Sequence, residues 1–142
     1  YRDLVHRMRL SNGSMPALSQ QGLGYTGLYG ESLSMSAPLQ EMMLQSWDGA
    51  IRLFSQWPQE INANFENFRA EGAFLVSAEF RDSEIKPFVI SSEAGKRCRL
   101  HLPWNGSLQV TWDTKPVTIS IEDGGVICFD TTAGATYKIA PG

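Results

Sequence analysis

The pattern of apolar and polar residues along the chain changes near residue 50. Before that point apolar residues recur at helical spacing, and after it they alternate with polar residues. The clearest alternating run, 73–80, puts four apolar side chains on one face: Phe74, Val76, Ala78 and Phe80. Alternation of this kind indicates a β-strand that is buried on one face. The pattern therefore predicts a helical and Gly-rich loop segment over 1–48 and a β-sandwich domain over 49–142.

The β part is predicted to contain about eight short strands separated by turn signals, which is typical of an antiparallel sandwich. The predicted strands are 51–54, 73–80, 85–91, 97–102, 108–112, 117–121, 126–129 and 135–140. Within them, His101 is expected to point outward and Trp112 to point into the core. The fold class is therefore expected to be mainly β, with one interior shared by residues of several strands: Phe74, Val76, Leu100, Val110 and Ile119.

Two helices are predicted in the first 48 residues. Residues 1–10 carry apolar side chains on one helical face, and a second helix is expected from Pro38 to Trp47. The polar and Gly-rich residues 11–36 between them predict loops and turns. Because the chain opens inside an amphipathic segment and without an initiator methionine, we expect it to be part of a longer protein. Its apolar helix faces would then be covered by that protein, by the sandwich or by a second copy.

The composition argues against several classes of function. The chain has 142 residues, of which 42% are hydrophobic and 19% charged, and its formal net charge is −3. No run of Lys or Arg supports nucleic-acid binding. No apolar stretch approaches the roughly 18 residues that a membrane span needs. We therefore expect neither nucleic acid nor a membrane as a partner.

The sequence supports neither a metal site nor a cofactor. The histidines are His6 and His101, and His101 is predicted to point outward from a strand with no Asp, Glu or Cys arranged around it at metal-ligand spacing. Residues 22–27 match the dinucleotide pattern G-x-G-x-x-G, but no predicted strand precedes them and no helix opens there, so a loop is the better interpretation. Cys98 and Cys128 lie in predicted strands, where buried free thiols are common, and a disulfide between them is the less favoured alternative.

Three residues are candidates for site chemistry. Tyr29 and Trp104 lie in or next to predicted turns, and exposed aromatic faces suit sugar rings, so both are candidate carbohydrate contacts. Glu31 lies between the Gly-rich loop and the second helix, where a carboxylate is a candidate acid or base. Each also has a simpler interpretation, since most tryptophans in a sandwich anchor the core and most loop carboxylates are solvated.

Three runs, 39–54, 68–78 and 90–98, resemble the C-terminal end of glycoside hydrolase family 95, the α-L-fucosidase-like enzymes, and uncharacterised bacterial relatives. The first run is similar to the family's E-M-L-L-Q-S-H-x-G-x-I-x-L-L-P segment, and the second to its L-R-A-x-G-G-F-x-V segment. The resemblance implies a β-sandwich that packs against the end of a catalytic (α/α)6 barrel. It also implies that 1–48 are the end of that barrel.

The resemblance carries over little of the family's catalytic site. The family's loop F-Q-I-D-x-N-F-G corresponds to residues 28–33, where Gly30 stands at the Asp position and Glu31 follows it. Inverting hydrolysis of an α-L-fucoside, which the family implies, needs two carboxyl groups roughly 6.5–9.5 Å apart. This chain offers at most one, and the proton donor would lie upstream of it. We therefore expect the chain to be inactive alone.

The leading hypothesis is a C-terminal accessory β-sandwich of a glycoside hydrolase, which supports the barrel and fixes the loop that carries Tyr29 and Glu31. Its main partner would be the remainder of the parent polypeptide. The alternative is a carbohydrate-binding module, whose partner is a glycan. A third hypothesis is a purely structural interaction domain, and exposed helix faces would allow a homo-oligomer.

Overall fold

Helix gives way to strand at Leu44 in the computed structural model, which describes residues 36–104 and 106–142. Helix α1 spans Ser36–Met43, and strand β1 follows directly at Leu44–Gln45. No helix in these two ranges is long and apolar enough to cross a membrane. The predictions made for 1–35 lie outside the described residues.

The prediction that the second helix continues to Trp47 is wrong. Leu44 pairs with Leu53 in an antiparallel ladder, and the Phe54 N–H donates to the Met43 carbonyl at 2.8 Å. Strand pairing thus satisfies backbone groups that another helical turn would have used. The helix ends four residues before the expected position because β1 has joined a sheet.

Eleven further strands follow β1 within the described part of the chain. They are β2 (Arg52–Leu53), β3 (Ala63–Ala70), β4 (Phe74–Arg81), β5 (Glu84–Ile85), β6 (Phe88–Ser92), β7 (Cys98–His101), β8 (Leu108–Trp112), β9 (Lys115–Pro116), β10 (Ser120–Glu122), β11 (Val126–Phe129) and β12 (Thr136–Pro141).

Most of these strands form one large antiparallel sheet. Among the described residues its order is β3-β4-β6-β12-β8-β9, and β5 also pairs with β4. Every second residue of β4 from Phe74 to Phe80 is buried, as the alternation predicts. Val76 lies opposite Ile90, and both are fully buried, because directly opposed residues in an antiparallel pair share a face.

A smaller sheet faces the large one. In the part of the chain that the structure describes, β10, β11 and β7 pair in that order, and Ile51 extends this sheet by a parallel bridge to Leu100. The Ile51 N–H donates to the Arg99 carbonyl at 2.8 Å, and the His101 N–H donates to the Ile51 carbonyl at 2.9 Å. The segment that leaves the helix is therefore built into the small sheet.

The two sheets enclose one apolar interior. Leu100 from the small sheet belongs to the same buried cluster as Phe74, Val76 and Val110 from the large sheet. Ile119 is partly buried and packs against that cluster. The five residues that were expected to share an interior do so, and the predicted antiparallel β-sandwich is confirmed.

Strand β11 is covered on both faces. All four of its residues, Val126–Phe129, are buried. Two of them face the main interior, and the other two form a second small cluster with Ala50. The chain segment before β2 thus covers the outer face of the small sheet.

The two cysteines are free and point away from each other. Cys98 lies opposite Phe129, whereas Cys128 lies opposite Arg99, so the thiols project from opposite faces of the small sheet. Side chains that diverge in this way cannot form a disulfide without movement of the backbone. Burial raises the pKa of Cys98 to about 12, and the neighbouring Cys128 thiol adds to the shift.

The sequence pattern missed strand β3, which forms one edge of the large sheet. The register of β3 against β4 shifts between Phe65 and Phe68, which is a β-bulge. Asn67 within the bulge has a φ of 55°, and its N–H donates to the Ser77 hydroxyl at 2.9 Å. The bulge breaks the alternation on which the strand prediction depends. The opposite edge of the sheet is the two-residue strand β9.

Trp112, which was expected to point into the core, is exposed, and so is Ile121 of the predicted strand 117–121. Trp112 is 44% exposed and Ile121 is 71% exposed. Each lies at a margin of its sheet, since Trp112 pairs with Lys115 of the edge strand β9 and Ile121 belongs to the edge strand β10. Both residues share a sheet face with buried residues, since Ile121 lies opposite Ile127 and Trp112 lies two positions after Val110.

Candidate functional site

A cleft opens at one end of the sandwich, where the loop after β2, the β4–β5 hairpin and the segment after β7 meet. Its volume is about 800 Å³, and pockets that bind small molecules typically measure about 300–1,000 Å³. Its walls include these apolar side chains: Leu53, Phe54, Phe80, Ile85, Leu102 and Trp104. The polar and charged residues that line it include Arg52, Ser83, Glu84, Lys86 and His101. We refer to this feature as the end cleft.

Trp104 forms a fixed wall of the end cleft. Its indole Nε1–H donates to the Ile85 carbonyl at 2.7 Å, and its ring is tilted against that of Phe88 with 5.7 Å between centroids. The side chain is partly buried against the main core. One ring edge is thus held by a hydrogen bond and the ring packs on an aromatic neighbour, so the indole has a single defined orientation.

Phe54 holds a second wall in a strained conformation. Its φ of 52° lies in the left-handed region, which bulky side chains rarely adopt. Its ring packs against those of Phe65 and Phe80 with centroid distances of 5.5 and 5.4 Å. Such strain costs about 1–3 kcal/mol and persists only where surrounding packing enforces it.

The cations at the end cleft are paired with carboxylates. Arg52 donates two hydrogen bonds to Asp48, at 2.7 and 2.6 Å. The Lys86 Nζ lies 3.5 Å from the Glu84 carboxylate and 3.8 Å from that of Asp82. The hydrogen bonds from Arg52 hold the pKa of Asp48 well below its usual range, so this pair stays ionised at neutral pH.

His101 supplies an uncharged polar group at the end cleft. Burial lowers the pKa of His101, and the positive charge of Arg52 lowers it further, so the imidazole is neutral at pH 7. A neutral imidazole both donates and accepts a hydrogen bond. Within 36–104 and 106–142, no cluster of three or more His, Cys, Asp or Glu residues could hold a metal ion.

The structure brings one of the three predicted site residues to the end cleft. Trp104 lines it, although its side chain is less exposed than the sequence suggested. Tyr29 and Glu31 lie outside the described residues, so their roles stay predictions. His101 was correctly predicted to point outward from β7 but was not recognised as a cleft residue. No local signal could have identified it, because most cleft residues come from distant parts of the chain.

A second feature is the junction between the helix and the sandwich, residues 43–53. The Glu71 N–H donates to the Ser46 hydroxyl at 3.0 Å, which ties the junction to the turn after β3. The Arg52 guanidinium lies 5.6 Å from the centre of the Trp47 ring, which is itself 71% exposed. Hydrogen bonds and strand pairing therefore hold the backbone of this segment, while one large aromatic ring remains on its surface.

Comparison with known proteins identifies one family. Residues 45–139 match the family model described as glycoside hydrolase family 95, C-terminal domain. The match runs from β1 to β12 and so covers both sheets. It confirms the resemblance found in the sequence. No curated protein matches the chain at a significant level.

Proposed function

The chain belongs to the C-terminal domain of glycoside hydrolase family 95, and from this premise we propose that it is a non-catalytic accessory domain that stabilises the catalytic barrel of its parent enzyme. The parent polypeptide is then the main partner. The proposal assigns the junction the task of connecting the last helix of the barrel to the sandwich.

The observation that carries this proposal is the way the junction is anchored. The last residue of α1, Met43, accepts a hydrogen bond from Phe54, and the next residue, Leu44, pairs with Leu53. Leu44 is also buried, at 8% exposure, within the main core. A helix end that is hydrogen-bonded and packed in this way resists fraying, because its last carbonyl group, that of Met43, has a partner.

The test compares two leucine truncations in the parent enzyme, the catalytic barrel joined to this chain. Leu44→Ala removes a buried side chain at the junction, and Leu108→Ala removes an equally buried one, at 7% exposure, elsewhere in the same core. Each should destabilise the sandwich by about 2–5 kcal/mol. At a temperature where both sandwiches remain folded, we expect Leu44→Ala to shorten the half-life of glycosidase activity more than Leu108→Ala.

Equal half-lives for the two variants would contradict the supporting role, since they would show that the junction has no special effect on the barrel. A parent enzyme truncated after the barrel and as heat-resistant as the full chain would also contradict it.

The chain alone is expected to show no glycosidase activity. Purified chain incubated with aryl α-L-fucosides should release no phenol above a blank, because hydrolysis of the glycosidic bond needs two carboxyl groups that flank that bond. Turnover that follows the protein through purification would overturn the non-catalytic assignment.

A second candidate function is carbohydrate binding, and the end cleft is the observation that favours it. The cleft has the size of a ligand site and combines polar groups with apolar walls, one of which is the fixed indole of Trp104. Titration of the chain with a panel of glycans should change its tryptophan fluorescence. A panel without any response would argue for the supporting role alone.

A further inference from the structure

We propose that the end cleft takes an uncharged saccharide, which stacks on the ring of Trp104 and exchanges a hydrogen bond with His101. This proposal rests on the second candidate function above and adds the class of ligand and the residues that select it.

The first step concerns Trp104. Its Nε1–H is already used by the Ile85 carbonyl, so any contact that this cleft-lining indole makes with a ligand uses the ring and not its polar edge. A ring whose orientation is fixed loses little conformational freedom when a ligand binds. The C–H face of a pyranose is the part of a sugar that packs on such an apolar aromatic surface.

The second step concerns charge. Arg52 and Lys86 line the cleft, but both have carboxylate partners, at 2.6 Å from Asp48 and 3.5 Å from Glu84. A sugar carboxylate would have to break one of these pairs in order to gain another, and it would face the Glu84 carboxylate. The arrangement therefore gives an acidic sugar no advantage over a neutral one.

The third step concerns hydrogen bonding. A neutral saccharide needs groups that can both donate to and accept from hydroxyls, and the uncharged imidazole of His101 does both. The Ser83 hydroxyl, which also lines the cleft, donates to the Gln59 carbonyl at 2.9 Å and keeps lone pairs that can accept. The polar groups at the cleft thus match hydroxyls better than they match a charged group.

The test uses ¹⁵N-labelled chain and follows the tryptophan indole resonances by NMR. The probes are the neutral sugars D-glucose, D-galactose and L-fucose, with D-glucuronate and D-galacturonate as charged counterparts of the first two. We expect at least one neutral sugar to shift the Trp104 indole resonance in a saturable way. Its uronate counterpart, where the panel has one, should bind more weakly. The resonances of Trp47 and Trp112, which do not line the cleft, should stay in place.

Variants identify the contacts. His101→Ala should weaken binding about three- to tenfold, which is the loss of one hydrogen bond. Trp104→Ala should weaken it by up to about tenfold through lost stacking. Trp112→Ala is the matched control and should leave the affinity unchanged. Because Trp104 also packs against the core, His101→Ala decides the matter if Trp104→Ala does not fold.

The outcomes separate this inference from the function on which it rests. Stronger binding of the uronates, or sugar-induced shifts confined to Trp47 or Trp112, would overturn the inference while leaving carbohydrate binding in place. If no sugar of the panel shifts the Trp104 indole resonance, the inference is overturned. If the tryptophan fluorescence also stays unchanged in the broader glycan titration, the carbohydrate-binding function is overturned as well.

Discussion

Truncation of Leu100 tests whether the small sheet is covered by the large one. Leu100 is fully buried and lies between Ile127 on β11 and the bridge to Ile51. Leu100→Ala removes three carbon atoms, which at about 0.8 kcal/mol per buried CH₂ gives roughly 2.4 kcal/mol. The unfilled cavity raises the expected loss of unfolding free energy to about 3 kcal/mol.

The assay is thermal and urea unfolding of the chain followed by circular dichroism. For a compact unit of the size of Met42–Gly142, a loss of about 3 kcal/mol corresponds to a Tm lower by roughly 12–24 °C. Ile121→Ala is the matched control, because Ile121 lies in the same cross-strand row through Ile127 but is 71% exposed. It should change the unfolding free energy by no more than about 0.5 kcal/mol. Equal effects of the two truncations would refute the two-layer interior.

Three further predictions concern single contacts. Tyr137→Phe should destabilise the fold by about 1–2 kcal/mol in urea unfolding, because the Tyr137 hydroxyl accepts the Thr132 N–H at 2.8 Å and its loss leaves that donor without this partner. Asp48→Asn should flatten the acid side of a plot of Tm against pH. Arg52 lowers the pKa of Asp48 in the folded state, so the pair stabilises the fold above about pH 4 and loses this effect as the pH falls below it. The thiol of Cys98, with its pKa raised to about 12 by burial, should resist labelling by a disulfide reagent at pH 8 until the chain is denatured.

Each of these predictions has a control. Tyr137→Phe should keep the near-ultraviolet spectrum of a folded core, and an unchanged unfolding free energy would show that the hydrogen bond contributes nothing. Asp82→Asn is the control for the pH experiment, because the Asp82 carboxylate lies 3.8 Å from the Lys86 Nζ and its side chain is 76% exposed. If Tm falls equally steeply with decreasing pH in Asp48→Asn and in the unmutated chain, the ion-pair argument is contradicted. Labelling of Cys98 in the folded chain, with Cys128 replaced by Ser, would contradict its burial.

The sequence pattern was informative where local periodicity decides the structure. Phe74 and Val76 alternate with polar residues on a central strand that has neighbours on both sides, so burial follows periodicity there. It failed at the margins of the sheets. Trp112 follows the same alternation but lies at the end of its strand beside the two-residue edge strand β9, and it is exposed. Strand β3 was missed because a bulge interrupts its period.

The end cleft was less accessible to sequence reasoning than the fold. Trp104 was recognised because it lies next to a turn signal, which is a local property. Its partner Ile85 is 19 residues away, and the pairing of Arg52 with Asp48 gives no indication of which loops the pair faces. A cleft formed by several separate segments depends on tertiary contacts, which periodicity does not encode.

The two edges of the large sheet have a consequence for the behaviour of the domain at high concentration. At one edge, the Val117 N–H donates inward to the Val110 carbonyl. The preceding residue, Pro116, stands at the position whose N–H would point away from the sheet. Proline has no N–H, so no donor is exposed there. At the other edge, the bulge in β3 interrupts the row of groups that a further strand would need. Neither margin of the large sheet is a regular template for another chain, so this sheet is protected against edge-to-edge pairing.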